Sequence, residues 1–183
     1  MKEEPLVDPG GASPSLAERL RARWEAVGAC PRPGVTVGEI EAFEEKAGVR
    51  LTRELRDYFL VVNGMEDWQS DPKWHTHFFS LGTVKNVRQG IAEHGGIPGY
   101  RGIEKILDDA DHTFVIVDLM IGSQYVAACL TNEPEESGPI LLITGTEFEW
   151  SADSFTELAE RYLADPEGLW EEAPTEKQVG PRA

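Results

Sequence analysis

Apolar residues along this chain fall into two kinds of pattern, and their order sets the fold class. Leu16, Leu20, Trp24 and Val27 repeat at helical spacing behind Ser15 and Glu18, an S-x-x-E capping box, and Gly28 supplies a stop. Pro31, Pro33 and Gly34 make a turn. A second box, Thr36 and Glu39, opens a helix carrying Val37, Ile40, Phe43 and Ala47 and closing at Gly48. Thr52 caps a third, with Leu55, Tyr58, Phe59 and Val62 as its stripe and Asn63-Gly64 as its left-handed terminator. The period then changes. Residues 65–75 (MEDWQSDPKWH) read as a loop, and His77–Leu81, Phe114–Leu119, Gln124–Leu130 and Pro139–Thr144 are dense enough in Val, Ile, Leu and aromatic residues to be strands. Gly122-Ser123 suits a hairpin between the second and third of these, and Asn132–Gly138 joins the third to the fourth, giving an antiparallel meander. Ser154 and Glu157 form a third S-x-x-E box before a last helix with Phe155, Leu158, Ala159, Tyr162 and Leu163, which ends before Pro166.

Helices, then strands, then a helix predict an α+β domain: a central antiparallel sheet flanked by the Thr36 and Thr52 helices and closed by the Ser154 helix. Residues 83–107 stay open between helix, strand and ordered loop, because a helical pattern over 84–93 is interrupted by Gly95-Gly96 and Pro98. Residues 1–14 and 171–183 are rich in Pro, Gly and acid with no apolar period, so both read as flexible segments around one domain over 15–170.

The composition, 40% hydrophobic and 27% charged over 183 residues, suits one soluble globular domain that folds without disulfide or metal. Only two cysteines are present: Cys30 in a turn, and Cys129 inside an apolar run. That usage, with no signal-peptide pattern at the start and no apolar run near the ~20 residues of a membrane span, points to the cytoplasm.

The chain carries no enzyme signature. His75 and His77 share a face if their segment is extended, and with Asp71 they offer the start of a zinc site. No third ligand stands at a diagnostic spacing, so the pair reads as a polar strand end, with no metal and no cofactor expected. Asp108-Asp109-Ala110-Asp111-His112 lacks calcium-loop spacing and reads as a solvated turn. Neither Gly122-Ser123-Gln124 nor Gly95-Gly96 and Gly99 matches a nucleophile elbow or a phosphate loop. Asp118 is the one carboxylate embedded in an apolar strand. If buried it needs a partner, a helix-borne arginine for example, and it reads as a satisfied acid at the strand end or as a ligand contact.

Charge changes the picture most. Acids outnumber bases 33 to 17, for a net -16, which repels nucleic acid and anionic membranes and suits a basic partner. From Thr131 to Glu172 twelve acids face a single base, Arg161. Glu133, Glu135 and Glu136 on the loop between two strands are therefore candidate contacts to a basic protein. Trp68 and Trp74, two aromatics in a short polar loop, are candidate anchors beside them, while Trp150 is expected to pack on the sheet.

Three segments resemble the SUKH superfamily, which includes fungal cell-wall-synthesis regulators and many bacterial toxin-immunity proteins. Val35 through Glu44, continuing through Leu51 and Leu55 to Tyr58-Phe59-Leu60-Val61-Val62-Asn63-Gly64, is similar to the family's opening helix pair, with Thr52 where the family usually has proline. Phe114–Asp118 leading to Tyr125–Leu130 resembles its central hairpin, and Ser151–Leu163 its closing helix. The resemblance implies a non-catalytic cytoplasmic immunity protein that binds and neutralises a cognate toxin, often a nuclease, or alternatively an intracellular adaptor of the cell-wall-regulator type.

Overall fold

The computed structural model describes residues 13–169, so the segments expected to be flexible over 1–14 (apart from Ser13 and Pro14) and over 171–183 lie outside the described residues. Its helices are α1 (Leu16–Ala26), α2 (Val37–Ala47), α3 (Arg53–Val61), the single turn α4 (Val87–Gly90) and α5 (Phe155–Ala164). Its strands are β1 (Pro31–Pro33), β2 (Val62–Met65), β3 (Thr76–Phe78), β4 (Lys85–Asn86), β5 (Thr113–Leu119), β6 (Gln124–Cys129), β7 (Ile140–Thr144) and β8 (Glu147–Ala152). The fold is α+β with an antiparallel sheet, as the order of patterns predicts. The main sheet runs β3-β5-β6-β7-β8, with β4 also paired to the outer edge of β5, while β1 and β2 form a separate two-stranded ribbon.

The capping chemistry holds where the helices begin. Ser15 Oγ accepts from the Glu18 N–H at 3.3 Å while the Glu18 carboxylate accepts from the Ser15 N–H at 2.7 Å, and Thr36 and Glu39 repeat the exchange. Thr52 caps α3 through its own hydroxyl, a role a proline could not fill. The box expected at Ser154 closes differently. Ser154 Oγ accepts from Glu157, but the Glu157 carboxylate turns to the Asp153 N–H. Glu54 of α3 supplies the missing acceptor, taking the Phe155 and Thr156 N–H groups at 2.8 Å each. A carboxylate on a helix amino terminus also meets the positive end of its dipole, so Glu54 docks α5 onto α3.

Two expectations need correction, and two segments gain a defined structure. Asn63-Gly64 does not terminate α3; the helix ends at Val61 and the chain runs straight into β2, paired with β1 where a simple turn was expected. Gly64 has φ 65°, and a Cβ there would lie 2.5 Å from the Phe79 carbonyl oxygen, so glycine serves a close backbone approach. Residues 83–107 resolve into β4, the turn α4, a 3-10 turn at Ile103–Lys105 and ordered loop. β8 was not anticipated: its Glu147-Phe148-Glu149-Trp150 alternation is that of an edge strand, and Trp150 is part of it.

Both faces of the sheet are covered, which explains why its strands read as unbroken apolar runs. Phe114, Val117, Leu119, Val126, Ala128, Ile140 and Leu142 face the helices, where Trp24, Phe59, Phe155 and Tyr162 are buried. Val115, Ala127, Leu141 and Ile143 face the opposite way, against Val87, Tyr100, Ile103 and Leu107 of the irregular segment and half-buried Phe148 and Trp150. On the helical side the buried Glu44 carboxylate ties α2 to the start of α3 through Arg50 (2.8 Å), Arg56 (3.2 Å) and the Leu51 N–H (3.1 Å).

Replacing Gly64 with alanine is expected to cost about 3 kcal/mol, since backbone atoms must move and the residue is left-handed. Gly48, also left-handed but with open space around it, should lose only about 1 kcal/mol on the same change. Urea midpoints of the two variants compare the costs, and equal losses would remove the close-approach explanation.

Candidate functional site

β5 reads Thr-Phe-Val-Ile-Val-Asp-Leu, and strict alternation would put Asp118 on the helical face with Phe114 and Ile116. A bulge prevents this. Val115 pairs with Ala127 and Val117 with Val126, leaving Ile116 as an extra residue, so the faces change parity and Asp118 sides with Tyr125. Asp118 is half-buried, and among the described residues no arginine reaches it. Its Oδ1 accepts from the Gly122 N–H at 2.6 Å instead. Burial pushes its carboxyl above the usual range, against the opposing pull of that hydrogen bond and of nearby His77 and His94.

The turn that Asp118 holds is unusual. Leu119 pairs with Gln124, and Met120, Ile121 and Gly122 between them have φ values of 56°, 57° and 81°. Asn or Gly normally fills such positions; a β-branched residue is strained there. Several bonds enforce the geometry. The Tyr100 hydroxyl hydrogen-bonds the Gly122 and Ser123 carbonyls, Ser123 Oγ donates to the Met120 carbonyl, and the Met120 N–H donates to the His75 carbonyl. Despite the strain, Ile121 is 80% exposed and packs on little.

Opposite this turn stands the loop 65–75. Its anchor is Asp71, fully buried, whose carboxylate accepts from the Lys73 and Trp74 N–H groups and, at 3.3 Å, from the Tyr162 hydroxyl of α5. Arg23 of α1 lies 3.8 Å away. Burial pushes the Tyr162 phenol up to about 12. Asp71 is therefore a structural pin rather than a partner for the histidines. His75 is exposed with φ 51°, outside the strand, so it does not share an extended face with His77; the His77 Nδ1 is bound to the Gln69 carbonyl.

Between loop and turn lies a cleft of about 480 Å³, lined by Asp67, Trp68, Gln69, Ser70, His75, His77, Phe79, Thr83, Asp118 and Ile121. Among the described residues, all four non-glycine residues with positive φ, namely Trp68, His75, Met120 and Ile121, belong to the loop or the turn. Of the six exposed large hydrophobic side chains among the described residues, four, Trp68, Ile97, Met120 and Ile121, sit at this same end of the sheet. Ile97 reaches it because Pro98 packs beside Gly145 in the β7–β8 turn. Strain and exposed apolar surface concentrated together mark an interaction site. A larger groove of about 560 Å³ between α2 and residues 80–89 has neither mark: none of its residues has positive φ, and none is an exposed large hydrophobic.

The structure divides the residues singled out in the sequence. Trp68 is fully exposed on the cleft rim, whereas Trp74 is half-buried away from it, with the Lys73 ammonium 4.2 Å above its ring. Glu133, Glu135 and Glu136 are exposed, but at the other end of β6, roughly 20 Å along the strand. Their loop is fastened to α3: the Arg53 N–H donates to the Glu135 carbonyl at 2.8 Å, and the Arg53 guanidinium pairs with Glu136 at 3.3 Å. Met120 and Ile121 escaped the sequence reading, although two apolar residues ahead of Gly-Ser in a hairpin turn were a legible mismatch. Cys129 is half-buried, its thiol pushed up to about 11 by burial, and Cys30 is exposed and free. Among the described residues no three His, Cys, Asp or Glu side chains are grouped to hold a metal ion, and no helix is long and apolar enough to cross a membrane.

Ile121→Asn is expected to raise stability by about 1 kcal/mol, because asparagine tolerates the left-handed region and little packing is lost. A urea midpoint that falls instead would show that the isoleucine stabilises the turn by contacts of its own.

A family model described as SMI1 / KNR4 family (SUKH-1) matches residues 34–161. No curated protein matches the chain.

Proposed function

The chain belongs to the SMI1/KNR4 family (SUKH-1), and on that premise we propose that it is a non-catalytic cytoplasmic protein that binds and neutralises a basic cognate toxin. The observation that carries this reading is the gathering of exposed apolar side chains and strained backbone at the turn end of a chain with net charge -16. The two features divide the work of association. Long-range attraction draws in a basic protein, such as a nuclease whose substrate-binding face must be positive, and apolar anchors then hold it. Trp68 and Ile121 are the anchors. Glu133, Glu135 and Glu136 lie too far from them to share one small contact, and they act by steering.

The test begins with capture from native lysate on the tagged chain at low and high salt. The captured protein is then expressed alone and together with this chain. One basic protein that arrests growth alone, and is relieved by co-expression, supports neutralisation. A set of unrelated proteins without effect on growth overturns it in favour of an intracellular adaptor or regulator.

The same pair of proteins separates steering from anchoring. Lysine at positions 133, 135 and 136, each replacement changing the charge by two, moves the net charge from -16 to -10. Association should slow at low salt, and the difference should shrink near physiological ionic strength, where the Debye length is about 8 Å. Trp68→Ala should instead speed dissociation at either salt, costing about 2 kcal/mol of affinity. Surface kinetics check both, and a faster dissociation of the lysine variant would place the glutamates in the contact.

A further inference from the structure

The cleft has a chemistry that names what enters it. Two acids line it, Asp67 and Asp118, and no lysine or arginine does. Asp67 already has a cation, Arg32 at 3.2 Å. Asp118 does not: among the described residues no Lys, Arg or His makes an ion pair with it, and its single hydrogen bond, from Gly122, engages Oδ1 and leaves Oδ2 without a partner. This is a half-buried carboxylate whose charge is incompletely compensated, and burial accordingly raises its pKa. Above it stand two aromatic walls, Trp68, fully exposed, and Phe79, half-buried. His77, paired across the strands with Asp118, has its Nδ1 engaged by the Gln69 carbonyl, which holds the ring at the edge of the cleft.

We propose that this cleft receives an arginine side chain presented by the bound partner, its guanidinium paired with Asp118 and its plane laid against Trp68. Arginine fits better than lysine because its flat, weakly hydrated head both stacks on an aromatic face and donates in parallel to a carboxylate. A space of about 480 Å³ admits the side chain together with part of the loop that bears it. Strain then has a purpose: the left-handed turn points the Gly122 N–H at Asp118 and keeps Ile121 on the rim. The proposal deepens the partner-binding reading and rests on it for the partner's identity, not for the chemistry of the cleft.

The test uses the full chain and a capped Gly-Arg-Gly peptide as probe, followed by proton–nitrogen correlation spectra at the Trp68 indole and the Ile121 amide. The arginine peptide should move both signals saturably. The same peptide with citrulline, which keeps the shape and loses the charge, should need about tenfold more for the same shift, the factor a charge-assisted hydrogen bond contributes. Asp118→Asn retains an acceptor for the Gly122 N–H and should abolish that preference. Should that variant disturb the turn, the fully exposed Trp68→Ala change leaves the fold intact and must weaken the shift at Ile121. Equal responses to arginine and citrulline, or shifts scattered over the acidic surface rather than the cleft, overturn the proposal. A saturable arginine response with no growth-arresting partner leaves the cleft standing and removes only neutralisation; a toxin bound without any arginine preference does the reverse.

Discussion

One extra residue in β5 is the constraint on which the rest of this structure depends. Without the bulge at Ile116, the register that pairs Val115 with Ala127 would carry Asp118 to the same face as Phe114, into a core built of Trp24, Phe59 and Phe155. A lone carboxylate there would cost several kcal/mol or lose its charge. The bulge lets Phe114 and Ile116 on one side of it, and Val117 and Leu119 on the other, all face the helices, while Val115 and Asp118 face away. A packing requirement and a site requirement are met by the same irregularity.

Consequences of that choice propagate to the end of the sheet. Asp118 fixes Gly122, Tyr100 fixes the turn from beneath, and the Met120 N–H reaches the His75 carbonyl across from it. The loop on that side is held independently, by a buried Asp71 that joins it to α5 and lies near Arg23 of α1. Two anchored walls make a cleft whose shape does not depend on the loops' own marginal preferences, which is what a pre-organised contact surface requires. The acidic loop at the far end is tied to α3 by backbone bonds, so its charges too are presented from a fixed frame.

The irregular segment between β4 and β5 has a structural duty that its composition hides. Val87, Tyr100, Ile103 and Leu107 are buried against the second face of the sheet, although they are separated by glycines, a proline and short turns. Burial of such scattered side chains follows from the sheet they cover, not from any period of their own. Trp150 and Phe148 join them from β8, an edge strand whose exposed Glu147 and half-buried Glu149 discourage pairing with another chain.

Local chemistry was enough to read much of the fold. Ser15, Thr36 and Thr52 cap helices because their hydroxyls reach nearby N–H groups, and the dense runs from Phe114 to Thr144 are strands because branched residues fit a pleated surface. Family likeness was legible for the same reason, being carried by those elements and their order. Tertiary structure decided the remainder. Glu54 completes the cap of α5 from a hundred residues away, Gly64 answers to the Phe79 carbonyl, and Asp118 is satisfied at the strand end by a backbone N–H four residues on. Two tryptophans in one loop, alike in sequence, part company because only Trp68 stays on the rim. Spacing along a chain reports period and local hydrogen bonds, and it carries no term for a bulge that reverses a strand's faces or for which distant group arrives opposite a given side chain.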